Sequence, residues 1–358
     1  MSRFTIWLRG AAAFVLGGIA TLAALEVVLQ LLPVQRAYGG RPDAAWPAHH
    51  MVTNSQYTFS SGWALADVRH GHSNNLGYAA PFDYQFATPA IVVLGDSFVE
   101  SLMNDYSQSL QGLLPDLIRQ GVPVLNFGTS GGDLAHDLGV AGLVGARFKP
   151  TMAVILITRG SFVAGFKSSP GFYSWTSGPP AGVEFVPERD RGWTELVRRL
   201  ALVRYVRANL RADLHQLLGP RGRAPRTDCS PVALSADDEA LVSFAVGELP
   251  RRLHLPAARI ILVFDADRER IYAPGTPEMC PTRDTLALLL LEQRASKSGF
   301  AVIDMEPIFR DAFQRTGEHF DYSPVDSHWN GTAHRLAAQA VARYMNARDM
   351  PPKAGVSP

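Results

Sequence analysis

A chain of 358 residues that is 47% hydrophobic holds apolar material for one large domain or two modest ones. Its 34 lysines and arginines balance 33 aspartates and glutamates, so no global field points to nucleic acid as a partner. Two cysteines, Cys229 and Cys280, are too few for a cysteine zinc cluster or a disulfide-rich scaffold.

Arg3 and Arg9 precede an uncharged run from Gly10 to Leu25, which Glu26 and Gln30 interrupt before Leu31, Leu32 and Pro33. With Glu26 at the far interface the run reaches membrane length, so 10–33 is predicted as a transmembrane helix. Arg3 and Arg9 before the run, with no basic residue from Gly10 to Gln35, predict a cytoplasmic segment over 1–9 and an exported remainder. A cleaved signal peptide is the rival, since Ala20 to Ala24 offer small residues for processing; the apolar continuation through Val27, Val28 and Leu29 favours a retained anchor. In an oxidising compartment Cys229 and Cys280, both in Pro-containing loops, are a disulfide candidate, with two unpaired thiols as the alternative.

Residues 34–84 are rich in Gly, Pro, Ser, Asn and His and show little periodicity, which predicts a juxtamembrane linker running into irregular or hairpin structure. His49, His50, His70 and His72 have no accompanying Cys, Asp or Glu cluster and read as surface histidines, with no metal site. From Ala90 the pattern alternates. Strands are predicted at 90–94, 122–127, 152–158, 259–264 and 300–304, with helices within 105–120, 133–147, 235–250, 282–298 and 332–346. Apolar strands separated by helices define an α/β domain over 85–348, with a parallel five-stranded sheet covered on both faces and a tail at 349–358. An insertion at about 165–230 interrupts it. Its first part carries Phe166, Phe172, Tyr173 and Trp175, either an aromatic platform for a sugar or acyl chain or a satellite cluster packed on the domain. Its second part, 192–218, sets Leu196, Leu200, Val203, Leu210, Leu214 and Leu217 at helical spacing among Arg198, Arg199, Arg204, Arg207 and Arg211. That amphipathic helix either packs on the core or lies on lipid.

The chemistry gathers in three connections. AIVVLGDSFVES, from Ala90 to Ser101, reads as a buried strand, a turn at Gly95 and a helix start. Ser97 stands there beside free backbone N–H groups, as a nucleophile or as part of a cap with Asp96. The Gly-rich turn GTSGGD follows the second strand. It lacks the Lys-Ser/Thr of a phosphate loop, so no nucleotide site is expected there, and Asp133 reads as a helix cap. In FDYSPVDSHWN, Asp326 and His328 are two apart in an extended segment and project to one side, so the carboxylate can fix the imidazole tautomer. Asp265 and Asp267 read as ordinary loop carboxylates, and His319 and His334 carry no role.

On GDSF around Ser97, NFGTSGGD at Asn126 to Asp133, the Lys149-Pro150 strand entry and DSHWN at Asp326 to Asn330, the chain resembles the SGNH, or GDSL-type, hydrolases of the bacterial cell envelope, over about 75–341. NNLGY before the core is similar to a segment of the membrane-anchored members. The resemblance implies a flavodoxin-like three-layer fold, Ser97 as nucleophile, His328 as base then acid, and Asp326 as its orienting group, with no metal or cofactor. It also implies an oxyanion hole from the N–H groups of Ser97 and Gly128. The family's third block supplies an Asn where this chain reads ITRGSF, with Gly160 or Phe162 at the place. Loss of one oxyanion donor costs on the order of 10²–10³ in turnover, so Arg159 or Ser161 is the expected substitute. The resulting expectation is a single-pass, inner-membrane protein with a periplasmic esterase acting on an acylated glycan or lipid. An O-acyltransferase with the same triad, or a weak glycan-binding member, is the alternative.

Overall fold

The computed structural model describes residues 3–37, 39–40, 42, 44–161, 169–176, 182–188, 192–210, 232–273, 281–322 and 326–348. Helix α1 spans Arg3–Leu31, and its segment Arg9–Leu31, of mean hydropathy 2.2, is long and apolar enough to cross a membrane. A hairpin follows, β1 (Gln56–Ser61) and β2 (Ala66–His72). The body then runs β3 (Pro89–Gly95), α2 (Ser97–Glu100), α3 (Leu110–Leu117), β4 (Val124–Gly128), α4 (Leu134–Arg147) and β5 (Lys149–Ile157). The insertion contributes a second hairpin, β6 (Tyr173–Trp175) and β7 (Val183–Phe185), then α5 (Gly192–Arg199) and α6 (Ala201–Arg204). The chain closes with α7 (Ala236–Leu253), β8 (Ile260–Phe264), α8 (Arg268–Tyr272), α9 (Arg283–Lys297), β9 (Ala301–Asp304), α10 (Met305–Thr316), β10 (Asp321–Tyr322), β11 (Asp326–Trp329) and α11 (Gly331–Arg348).

The central sheet is parallel in the order β4-β3-β5-β8-β9, the flavodoxin-like arrangement expected from the sequence. Both faces are buried, which is why its strands are continuous apolar runs. Val92 and Leu94 point to one side and meet Leu138 of α4, Val242 of α7 and Leu291 of α9. Ile91 and Val93 point to the other and meet Leu114 of α3, Phe309 of α10 and Val341 of α11. The helix expected within 105–120 is shorter, a 3-10 turn at Tyr106–Gln108 followed by α3, and α10 was not foreseen.

The expected linker over 34–84 is instead part of the body. Trp46, Ala48, Tyr78, Ala80 and Tyr84 are buried in the same cluster as one sheet face, with Trp46 stacked on Phe127 at 5.9 Å. Tyr84 Oη donates to the Asn126 carbonyl at 2.8 Å and accepts from the Asn126 N–H at 2.7 Å. Aromatic packing of this kind needs no periodicity, which hid it from the sequence pattern. His50 is likewise buried, with Nδ1 2.6 Å from the Met51 carbonyl, rather than on the surface.

The single amphipathic helix expected over 192–218 breaks at Leu200, which is extended, into α5 and α6. A one-turn π-helix follows at Tyr205–Asn209. Glu26 of α1 caps α6, accepting from the N–H groups of Ala201 and Leu202 at 2.8 Å each. The Cys229–Cys280 pairing, Phe162, Phe166, Arg211, Leu214, Leu217 and the tail at 349–358 lie outside the described residues.

Candidate active site

Strand β3 ends at Gly95 with φ +151, a conformation that favours glycine; a Cβ there would also stand 2.7 Å from Val99 Cγ2. The turn brings Asp96 into the cap position, where Oδ1 accepts from the Phe98 N–H at 2.9 Å and Oδ2 accepts from Thr158 Oγ1 at 2.6 Å. Asp96 therefore does the capping, and Ser97 Oγ is left for another partner. That partner is His328 Nε2, at 2.7 Å.

His328 lies on β11, held in extended form by its pairing with β10. Asp326, two residues earlier and buried, accepts the His328 backbone N–H at 3.0 Å and lies 2.5 Å from His328 Nδ1, both through Oδ1. A carboxylate at Nδ1 assigns the proton to that nitrogen and leaves Nε2 as the acceptor facing Ser97. Ser97, His328 and Asp326, expected to converge, thus meet in series at the carboxyl edge of the sheet.

A second network, which sequence reasoning missed, holds this loop. Arg268 of α8 is buried and donates to the Ser327 carbonyl at 2.5 Å, between the Asp and the His. It also donates to Asp265 at 2.5 and 2.7 Å and to Asp321 at 3.0 Å. Trp329 Nε1 donates to the same Asp265 at 2.8 Å. Asp265 is therefore not an ordinary loop carboxylate but the common acceptor under the His328 segment. The Arg268 guanidinium lies 5.4 Å over the Phe98 ring, whose centroid is 4.8 Å from that of His328. Asp267 caps α8 and pairs with Arg159.

The expected oxyanion donors fare differently. The Gly128 N–H is spent on Asn126 Oδ1 at 2.8 Å. Gly128 is small for another reason: a Cβ there would stand 2.2 Å from the Glu100 nitrogen. Arg159 is engaged with Asp267, and Ser161 Oγ accepts from the Thr158 N–H at 2.9 Å. Neither substitute lines the pocket at Ser97. Among the described residues the N–H of Ser97 donates to no group, and neither does that of Gly131, which turns the chain at φ +81 beside Ser130 on the pocket rim.

A family model, SGNH hydrolase-like domain, acetyltransferase AlgX, matches residues 232–357, the stretch holding Asp265, Arg268, Asp326 and His328. Over that stretch the chain is similar to an SGNH hydrolase-like domain. Among solved structures, the chain is similar to a lipolytic protein of the G-D-S-L family from Veillonella parvula DSM 2008, at 13% identity and TM-score 0.35, over 73% of this chain and 99% of that one. It is also similar to the acetyl xylan esterase AlAXEase, at 11% identity and TM-score 0.38, over 73% of this chain and 100% of that one. LAE5, an alpha/beta hydrolase from the metagenome of Lake Arreo, Spain, matches at 15% identity and TM-score 0.40, over 75% of this chain and 99% of that one. No curated protein matches the chain.

Its pocket, of about 240 Å³, is lined by Ser97, His328, Glu100, Ser130, Gln35 and Arg207 among others. Glu100, one helical turn after Ser97, is a site residue the sequence did not announce. Burial raises its carboxyl to about 7, against the hydrogen bonds from Ser130 and the nearby His328. Phe172, Tyr173 and Trp175 do not line this pocket, although Phe172 Cζ would stand 3.9 Å from a Cβ on Gly131 at its rim. Phe172 stacks on His49 at 4.5 Å, Tyr173 packs on Phe185 and over Gly139 of α4, and Trp175 is buried against Phe244. Of the remaining histidines, His319 stacks on Tyr272 at 3.9 Å. His334 accepts the Leu110 N–H at Nδ1 and so offers its Nε2–H to Ser101 Oγ at 3.0 Å. Burial holds it neutral, with its pKa lowered to about 3. The described residues contain no group of His, Cys, Asp and Glu able to hold a metal ion.

Proposed function

We propose that the chain is a serine-dependent acyl-ester hydrolase of the cell envelope, with Ser97 as nucleophile, His328 as general base then acid, and Asp326 as the group orienting it. The observation that carries this reading is the continuous hydrogen-bond series from Ser97 Oγ through the His328 ring to Asp326, between residues 231 positions apart. Ser97 Oγ attacks the ester carbonyl as His328 Nε2 takes its proton, and buried Asp326 stabilises the imidazolium. The N–H groups of Ser97 and Gly131 receive the oxyanion in place of Gly128. His328 then protonates the leaving alcohol, and a second hydroxyl, activated by the same nitrogen, releases the acyl group from Ser97.

A pocket of about 240 Å³ fits a short acyl group and part of its alcohol rather than a long fatty chain. Helix α1 supports a membrane anchor with the body exported, and an acylated envelope glycan or lipid as substrate. The match to an acetyltransferase family model favours a second reading, in which the acceptor is a sugar hydroxyl instead of water.

Fluorophosphonate labelling tests the chemistry. The parent is expected to label and Ser97→Ala to lose the label; a folded parent that stays unlabelled, beside a control esterase that reacts, leaves only a binding role. Acyl appearing on added glycan faster than as free acid assigns the transferase.

A further inference from the structure

We propose that residues 192–210 lie in the plane of an anionic lipid bilayer as a second membrane contact, so that the Ser97 pocket opens at that surface and takes its ester from a bilayer-resident amphiphile. The inference rests on the reading of α1 as a membrane span and of the pocket as an acyl-ester site.

Depth comes first. Arg9–Leu31 is 23 residues, about 35 Å of helix against roughly 30 Å of hydrocarbon. Glu26 is five residues, about 8 Å, before the end of α1, at the boundary between hydrocarbon and headgroups. Its carboxylate is bonded to the N–H groups of Ala201 and Leu202, so those residues sit at the same depth. The junction of α5 and α6 is therefore level with the membrane boundary and cannot stand above it.

Chemistry agrees with that position. Trp193 and Leu196, at i and i+3 on α5, and Leu200 just past its end are exposed, with Trp193 75% accessible. Trp63 at the β1–β2 turn, 77% accessible, is joined to the same region by the Tyr205 hydroxyl, which donates to the Trp63 carbonyl at 2.7 Å. Tryptophans flanking an apolar helix face suit the headgroup layer. Within 192–210 four arginines accompany a single glutamate, which selects an anionic surface.

The same segment reaches the chemistry. Arg207, on the one-turn π-helix after α6, and Gln35, four residues beyond α1, both line the Ser97 pocket. The pocket wall is thus continuous with the proposed membrane seat.

The test uses the full chain reconstituted in vesicles of phosphatidylcholine and brominated phosphatidylglycerol. The Trp193 signal is the difference between the parent and Trp193→Phe. Quenching by brominated phosphatidylglycerol, weaker in brominated phosphatidylcholine alone, is the expected result. A Trp193 open to iodide in the aqueous phase overturns the proposal, and so does a blue-shifted but unquenched Trp193, which signals a protein partner or second copy. In a parallel measurement, Trp193→Ser with Leu196→Ser is expected to turn over a soluble short-chain ester at the parent rate and a vesicle-borne ester about tenfold more slowly. Equal losses on both esters assign the segment a structural role only and overturn the proposal. If neither ester is turned over by the parent, the acyl-ester reading fails, while Trp193 quenching still decides the seat.

Discussion

Glu100 places a carboxyl of raised pKa one turn from the proposed nucleophile, and it has a measurable signature. Between its ordinary value of 4.5 and about 7 the folded protein holds a proton that the unfolded chain has lost. Stability therefore falls as pH rises through that window, by up to about 3 kcal/mol, and the full penalty is present above about pH 7. Glu100→Gln is expected to remove this slope. Its melting temperature, compared with the parent at pH 5 and pH 8, should gain relative to the parent at the higher value. Arg268 is the second residue of consequence. Arg268→Met leaves Asp265 and Asp321 as buried carboxylates without their cation, an expected loss of about 3–5 kcal/mol by denaturant titration. Fluorophosphonate labelling should also slow in the fraction that folds, because the Ser327 carbonyl loses its donor. Neither role was legible in the sequence. Asp265 and Arg268 share the β8–α8 junction while Asp321 and Trp329 lie on the paired strands β10 and β11, and nothing in the sequence joins the two pairs into one network.

At the scale of elements, the sheet was legible because both its faces are buried, which leaves uninterrupted apolar runs such as Ile260–Phe264. The Ser–His–Asp series was legible because two of its members share a short extended segment and the third follows a strand. The packing of 44–84 was not, since rings such as Trp46, Tyr78 and Tyr84 are anchored by contacts to Phe127 and Phe148 rather than by periodicity. Gly128 is explained in the structure by its size more than by its N–H. It was expected as an oxyanion donor, yet what demands glycine there is the close approach of α2 to β4. Gly128→Ala sets a methyl against the Val99 carbonyl carbon and the Glu100 nitrogen, both backbone atoms that cannot rotate away. The expected cost is about 1–3 kcal/mol or more, read from the urea midpoint, with fluorophosphonate labelling falling as Ser97 shifts.

At the scale of the whole molecule, the exposed apolar length of α1 is the dominant surface feature. The chain is expected to resist extraction from membranes by alkaline carbonate and to enter detergent with its first residues intact by mass spectrometry. Release into the aqueous phase with a shortened N-terminus instead assigns a processed leader.

The stretch after α1 has no slack. Pro33 accepts from Ser60 Oγ, the Gln35 N–H is held by Asn209, Arg36 bridges Thr58, and Arg204 grips the carbonyls of Val34 and Gln35. A body braced in this way is not on a leash. With α1 across a bilayer, it would patrol in two dimensions at one fixed height, reaching esters brought to that height and passing over those held farther out.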